Sequence, residues 1–280
     1  MVQLLAKFYQ RITWLSFDVV FGAMAGMLFF TRLLRVNVFW EAYALLGMAV
    51  WCIYTADHLL DSRKLPIGLS EDRHKFHRNH FKALLISLLV VGLVGIFGAI
   101  SFFGFSVELF LGAGLGVLIL GIMLFIRKFV AKNVWLKELS SAVLYVVGIS
   151  WFPWYQVEPI EYSWAAFTMT IVYMGLAYLN LMMLSNLDSE KDKEYGFHSI
   201  STMLSPEEHV KIIHQLAVIL LIISALALIF FNSLQRIFPA ILLLMLFIHY
   251  QSFFNSKLNS VQIRMRMEAT FMIPGILLLF

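Results

Sequence analysis

Residues 38–61 read VFWEAYALLGMAVWCIYTADHLLD, and residues 164–192 read WAAFTMTIVYMGLAYLNLMMLSNLDSEKD. Each holds an apolar run close to the ~20 residues a helix needs to cross a bilayer. Each run closes on Asp-x-x-x-Asp: Asp57 and Asp61 in the first, Asp188 and Asp192 in the second. Acids are scarce here, with 17 Asp plus Glu in 280 residues. Four of them in two matching pairs, both at a membrane boundary, point to chemistry. Positions i and i+4 share one face of a helix, so each pair can aim two carboxylates at one point. Two such pairs facing each other would bind Mg²⁺, and through the metal a diphosphate.

The rest of the chain fixes the class. Hydrophobic residues make up 61% and charged residues 14%, whereas a soluble domain carries about a quarter charged residues. Nine apolar segments are readable, roughly 15–34, 38–57, 82–103, 107–126, 139–157, 164–187, 211–231, 237–254 and 268–280. The last is short for a full crossing, and Pro274 is placed to kink it. The expectation is an all-α, multi-span transmembrane bundle of about nine helices, forming one integral-membrane domain over residues 1–280. Lys7 and Arg11 precede the first apolar run, but Asp18 interrupts it, which favours a retained span over a cleaved signal peptide. The single cysteine, Cys52, lies inside a span and is silent about redox compartment.

The connections alternate in character. Four are long and polar: Asp57–Lys82, Arg127–Glu138, Asp188–Lys211 and Asn255–Glu268. The others are short and carry little charge. Of the 21 Lys plus Arg, only Arg32, Arg35 and Arg236 fall on the short-loop side. The positive-inside rule then puts the N-terminus and the long loops in the cytoplasm, in a cytoplasmic (inner) membrane. This asymmetry accounts for the net charge of +4 without a nucleic-acid partner. Four crossings separate the two Asp pairs, so both emerge on one face, and the spacing suggests a four-helix internal repeat.

The motifs carry a family resemblance. Tyr54-Thr55-Ala56-Asp57-His58-Leu59-Leu60-Asp61 follows the second segment, and Asp188-Ser189-Glu190-Lys191-Asp192 leads to Gly196 after the sixth. This resembles the UbiA superfamily of intramembrane prenyltransferases. That family carries Asn-Asp-x-x-Asp-x-x-x-Asp after its second helix and Asp-x-x-x-Asp-x-x-x-Gly after its sixth. The second motif is complete here. In the first, Ile53 and Tyr54 stand at the Asn-Asp positions. The resemblance implies a UbiA-like bundle and Mg²⁺-dependent transfer of a prenyl group from an isoprenyl diphosphate to a lipophilic acceptor, often aromatic in this family. It implies Asp57, Asp61, Asp188 and Asp192 as metal ligands.

The chemistry asks for the same residue types. An allylic diphosphate leaves only when its charge is neutralised, which Mg²⁺ on carboxylates does well. Basic side chains hold the remaining phosphate oxygens, and the candidates are Arg63, Arg73, Arg78 and Lys128. Aromatic faces can stabilise developing positive charge, and Tyr54 stands closest to the first pair. Asn180, on the sixth segment, can hydrogen-bond substrate or bridge helices. A non-catalytic prenyl-lipid binding protein on the same scaffold is the alternative. His74, His77 and His80 also suggest a His-box membrane metal oxidase, but no second box accompanies them. A basic helix capping the site, or meeting lipid headgroups, fits that stretch better.

Overall fold

The computed structural model describes residues 12–64, 72–129, 134–158, 163–189 and 204–279. Among the described residues all regular structure is helical. The chain runs α1 (Phe17–Leu34), α2 (Trp40–Lys64), α3 (Asp72–Asn79), α4 (Phe81–Phe103) and α5 (Val107–Phe129). It continues through α6 (Val134–Tyr155), α7 (Trp164–Leu187), α8 (Pro206–Phe230), α9 (Ile237–Phe253) and α10 (Ser260–Thr270), and closes in a 3₁₀ segment, Ile273–Leu279. Five helices are long and apolar enough to cross a membrane: α1, α4, α7, α8 and the Trp40–Ser62 stretch of α2. Shorter apolar stretches lie in α5 and α9.

α1 is the hub. It packs on α2, α6, α10 and the 3₁₀ segment, and Phe29 and Phe30 are fully buried. The ring of Tyr173 on α7 lies 5.4 Å from each of those two phenyl rings. Two glycines permit this closeness. A Cβ on Gly22 would sit 3.0 Å from Phe271 Cβ, and one on Gly26 would sit 2.6 Å from Ile149 Cδ1 and 2.8 Å from the Tyr173 hydroxyl. Small residues serve this purpose where helices associate in lipid, because backbones must approach to gain packing energy. α1 ends on Arg35 in the left-handed region (φ 56°), with the Val36 amide donating to Thr31 O. That reversal closes the helix as a glycine usually would.

α4 has the opposite character. It is the most apolar helix by hydropathy, yet only 6% of its apolar window is buried, with Leu93 and Phe97 exposed. Such a surface suits hydrocarbon, not water. α4 and α5 meet the rest of the bundle along α2 and α6.

The sequence boundaries shift where capping signals act. α8 begins at Pro206, not near 211, because Ser205 and Glu208 form a reciprocal capping box with Pro206 in the first turn. The expected loop Asn255–Glu268 instead contains α10, started by a box between Asn259 and Gln262. The final apolar segment is therefore not one short span. It is the end of α10, then a turn, then the tighter 3₁₀ stretch, in which Pro274 supplies no amide donor. The Asp57–Lys82 connection is likewise largely helical, with α2 running on to Lys64 and α3 following.

Candidate functional site

Asp57 and Asp61 lie in the last two turns of α2, and Asp188 is the residue on which α7 closes. Carboxylates at these positions oppose the helix dipole, whose C-terminal end is negative. A neighbouring cation offsets that repulsion. At Asp188 the structure supplies one: Arg264 Nη2 on α10 donates to Asp188 Oδ2 at 2.6 Å. Both side chains are about one-third exposed, at 30% and 34%.

At the α2 end, the basic helix α3 folds against the acid pair's own helix. Arg78 donates to Ser62 O through Nη2 (2.7 Å) and Nε (3.0 Å). This gives an orphan carbonyl near the helix end a charged partner. Ser62 is fully buried, and its hydroxyl donates to Leu59 O at 2.9 Å. His77 is 1% exposed, and its ring lies 5.0 Å from that of His58, the residue between the two acids' turns. The Tyr54 ring lies 6.4 Å from that of His58. Among the sequence candidates, Tyr54, Asp57, Asp61 and Arg78 thus gather around one stretch of α2. His77 is buried while His80 is exposed.

Asn180 meets a neighbouring helix. His249 Nε2 lies 3.3 Å from Asn180 Oδ1, and His249 Nδ1 lies 2.9 Å from Met245 O and 3.2 Å from Thr270 Oγ1. His249 is fully buried, so this chain ties α7, α9 and α10 together where water is absent. Closer to the acids, Asn186 Nδ2 lies 3.3 Å from His209 Nδ1 and joins α7 to α8.

Asp192 and Gly196 lie outside the described residues. Arg63, Arg73 and Lys128 stand on α2, α3 and α5, and only their backbone is described. Among the described residues no three His, Cys, Asp or Glu side chains form a metal-holding group. Sequence reading missed Arg264, since its stretch read as a loop. The Asn259-x-x-Gln262 capping signal was available to reveal the helix beneath it.

A groove of about 590 Å³ opens between α2, α4, α5 and α6. Its lining is almost wholly apolar and includes Leu45, Cys52, Gly95, Ala113 and Trp151. Along α2 it runs from Ala42 to Ile53, about 16 Å at 1.5 Å per residue. It stops one helical turn short of Asp57. Comparison of the chain with protein-family models, with curated proteins and with solved structures returns no match.

Proposed function

We propose that this chain is an intramembrane prenyltransferase of the UbiA type, with a bundle of about nine helices and its N-terminus and acid-bearing ends in the cytoplasm. It would transfer a prenyl group from an isoprenyl diphosphate to a lipophilic acceptor. One observation carries the reading: an apolar groove of about 590 Å³ ends one helical turn before Asp57 of the Asp57 and Asp61 pair. A substrate with an apolar tail and an anionic head matches that order along a single helix. The volume lies within the range of small-molecule sites.

Mg²⁺ fits the donor set, since Asp57, Asp61, Asp188 and Asp192 offer only hard oxygen ligands. Bound there, the cation would neutralise the diphosphate as it departs. The chain's own residues do the remainder. Arg63, Arg73, Arg78 and Lys128 bind phosphate oxygens, and Arg78 already donates beside the acid pair. The groove orients the tail and keeps water from the cleaving carbon. Tyr54 presents an aromatic face one turn from His58, between groove and acids.

A second reading has its own support. Ile53 stands at an Asn position of the family motif and lines the groove. A prenyl-lipid binding protein without turnover would tolerate that apolar residue well. One experiment separates the two. Purified protein with Mg²⁺ is offered a panel of prenyl diphosphates and acceptors, with Asp188→Ala alongside. The enzyme reading predicts a prenylated product and a loss of about 100-fold or more in the variant. Binding of labelled prenyl diphosphate with no product from any acceptor supports the carrier, and product formation unchanged by Asp188→Ala removes the metal role.

A further inference from the structure

We propose that the end of the hairpin formed by α8 and α9 seats the headgroup of an anionic phospholipid, with an acyl chain lying along α9. The seat is separate from the groove between α2, α4, α5 and α6, and it does not depend on the prenyl diphosphate reading.

The outward face of α9 changes character along its length. Leu244 and Phe247 are exposed, three positions apart and so on one face. Gln251 and Phe254 continue that face, and the exposed Lys257 follows just past the helix end. α8, which runs beside α9, changes at the same level. Ile219 and Ile222 are exposed toward one end, and Lys211 and His214 toward the other. The two helices are tied there, with the Tyr250 hydroxyl 3.0 Å from His214 Nδ1. A step from apolar to polar surface shared by two adjacent helices matches the boundary between hydrocarbon and headgroups.

A pocket of about 450 Å³ opens at this step. Its lining runs from Phe247 on α9 to Lys257 and holds no carboxylate among the described residues. The Tyr250 ring lies 4.7 Å from that of Phe254, and the His214 ring lies 5.8 and 6.0 Å from these two. Rings with an apolar body and a polar tip suit the membrane interface. The Lys257 amide donates to Asn255 Oδ1 at 3.0 Å, which fixes the turn that presents its side chain.

The local charges favour an anion. The carbonyl end of α9 is negative, but α8 begins at the same level and its amide end offsets this. Glu208 turns its carboxylate to the Ser205 cap. It also offsets part of the charge of Lys211, which leaves Lys257 as the stronger arm. A lysine at a membrane surface favours an anionic lipid by about fivefold. The order along α9, apolar stripe then cation, is that of a phospholipid from chain to phosphate.

The test uses the purified full chain in detergent micelles, with Cys52→Ala and a bimane fluorophore attached through Leu244→Cys. Phosphatidylglycerol and phosphatidylcholine with identical acyl chains, each carrying a nitroxide at the same chain position, are added in turn. Phosphatidylglycerol should reach half-quenching at about fivefold lower mole fraction. Lys257→Gln should remove most of that preference and leave quenching by phosphatidylcholine unchanged, and Lys257→Arg should keep it. Equal quenching by the two lipids before any lysine is changed overturns the seat. So does a preference that survives Lys257→Gln combined with Lys211→Gln. Quenching by neither lipid would mean that protein, such as a second copy of this chain, covers the face. Loss of the preference in excess glycerol phosphate, but not in sodium chloride of equal ionic strength, would make it a site for a soluble phosphate instead.

Discussion

Gly26 shows how one position holds the hub of the bundle. Its missing side chain leaves room for Ile149 and for the Tyr173 hydroxyl, both of which an added Cβ would crowd to under 3 Å. Ile149 can yield at its flexible tip, but the Tyr173 ring packs in a triangle with Phe29 and Phe30. Gly26→Val should therefore destabilise the protein by about 1–3 kcal/mol, seen as a lower thermal midpoint in detergent. Gly114→Ala on α5 has nothing within 4 Å of the new Cβ. It should be neutral or stabilising by up to about 1 kcal/mol, through helix propensity alone. Equal losses for the two would contradict the packing described. Residue identity alone could not rank these glycines, since each stands in an apolar run of similar composition. Asn180 was open in the same way. Its two roles are alike in sequence, and the contact with His249 across helices is legible only in the geometry.

At the scale of elements, the five long apolar helices were legible because hydrophobic length is a strong signal. The ends were less so. α10 was hidden because its alternating Ile263, Arg264, Met265, Arg266 and Met267 give no single apolar face, and its start is marked only by a capping pair. The groove between α2, α4, α5 and α6 was not legible at all, because it depends on how loosely α5 meets its neighbours. Gly92 and Gly116 line it with open space around them, which yields a prediction for these elements. Gly92→Trp or Gly116→Trp should occupy the groove and shift the preferred isoprenoid to a shorter chain, by at least one isoprene unit. Affinity for inorganic pyrophosphate, which has no tail, should stay at wild type. Preserved chain-length preference in product analysis would show that the tail lies elsewhere. Cys52, the single cysteine, also lines the groove. Its alkylation by a lipophilic maleimide offers a direct reading of occupancy.

For the whole molecule, the positive-inside reading of the charged and uncharged connections is what would orient the bundle, with successive apolar helices antiparallel. On that reading α2 and α7 would close at the same end, with Asp61 and Asp188 on one face. Cysteines introduced at Lys75 and Glu207, in a Cys52→Ala background, should label only from the cytoplasm. Cysteines at Phe105 and Trp164, both highly exposed at the other end, should label only from outside. A mixed pattern would overturn the common face. That face matters because two acids more than 100 positions apart in sequence are asked to act on one ligand.

The central claim, that α2 and α7 serve a single cation and diphosphate site, is open to a double-mutant cycle. Mn²⁺ affinity in the presence of pyrophosphate is measured for wild type, Asp57→Asn, Asp188→Asn and the double variant. A shared site predicts that each single change weakens binding at least about tenfold, and that the double loses clearly less than the product of the two. Losses that multiply independently, or single variants that bind as wild type does, would mean that the two acid-bearing ends do not meet on one ligand.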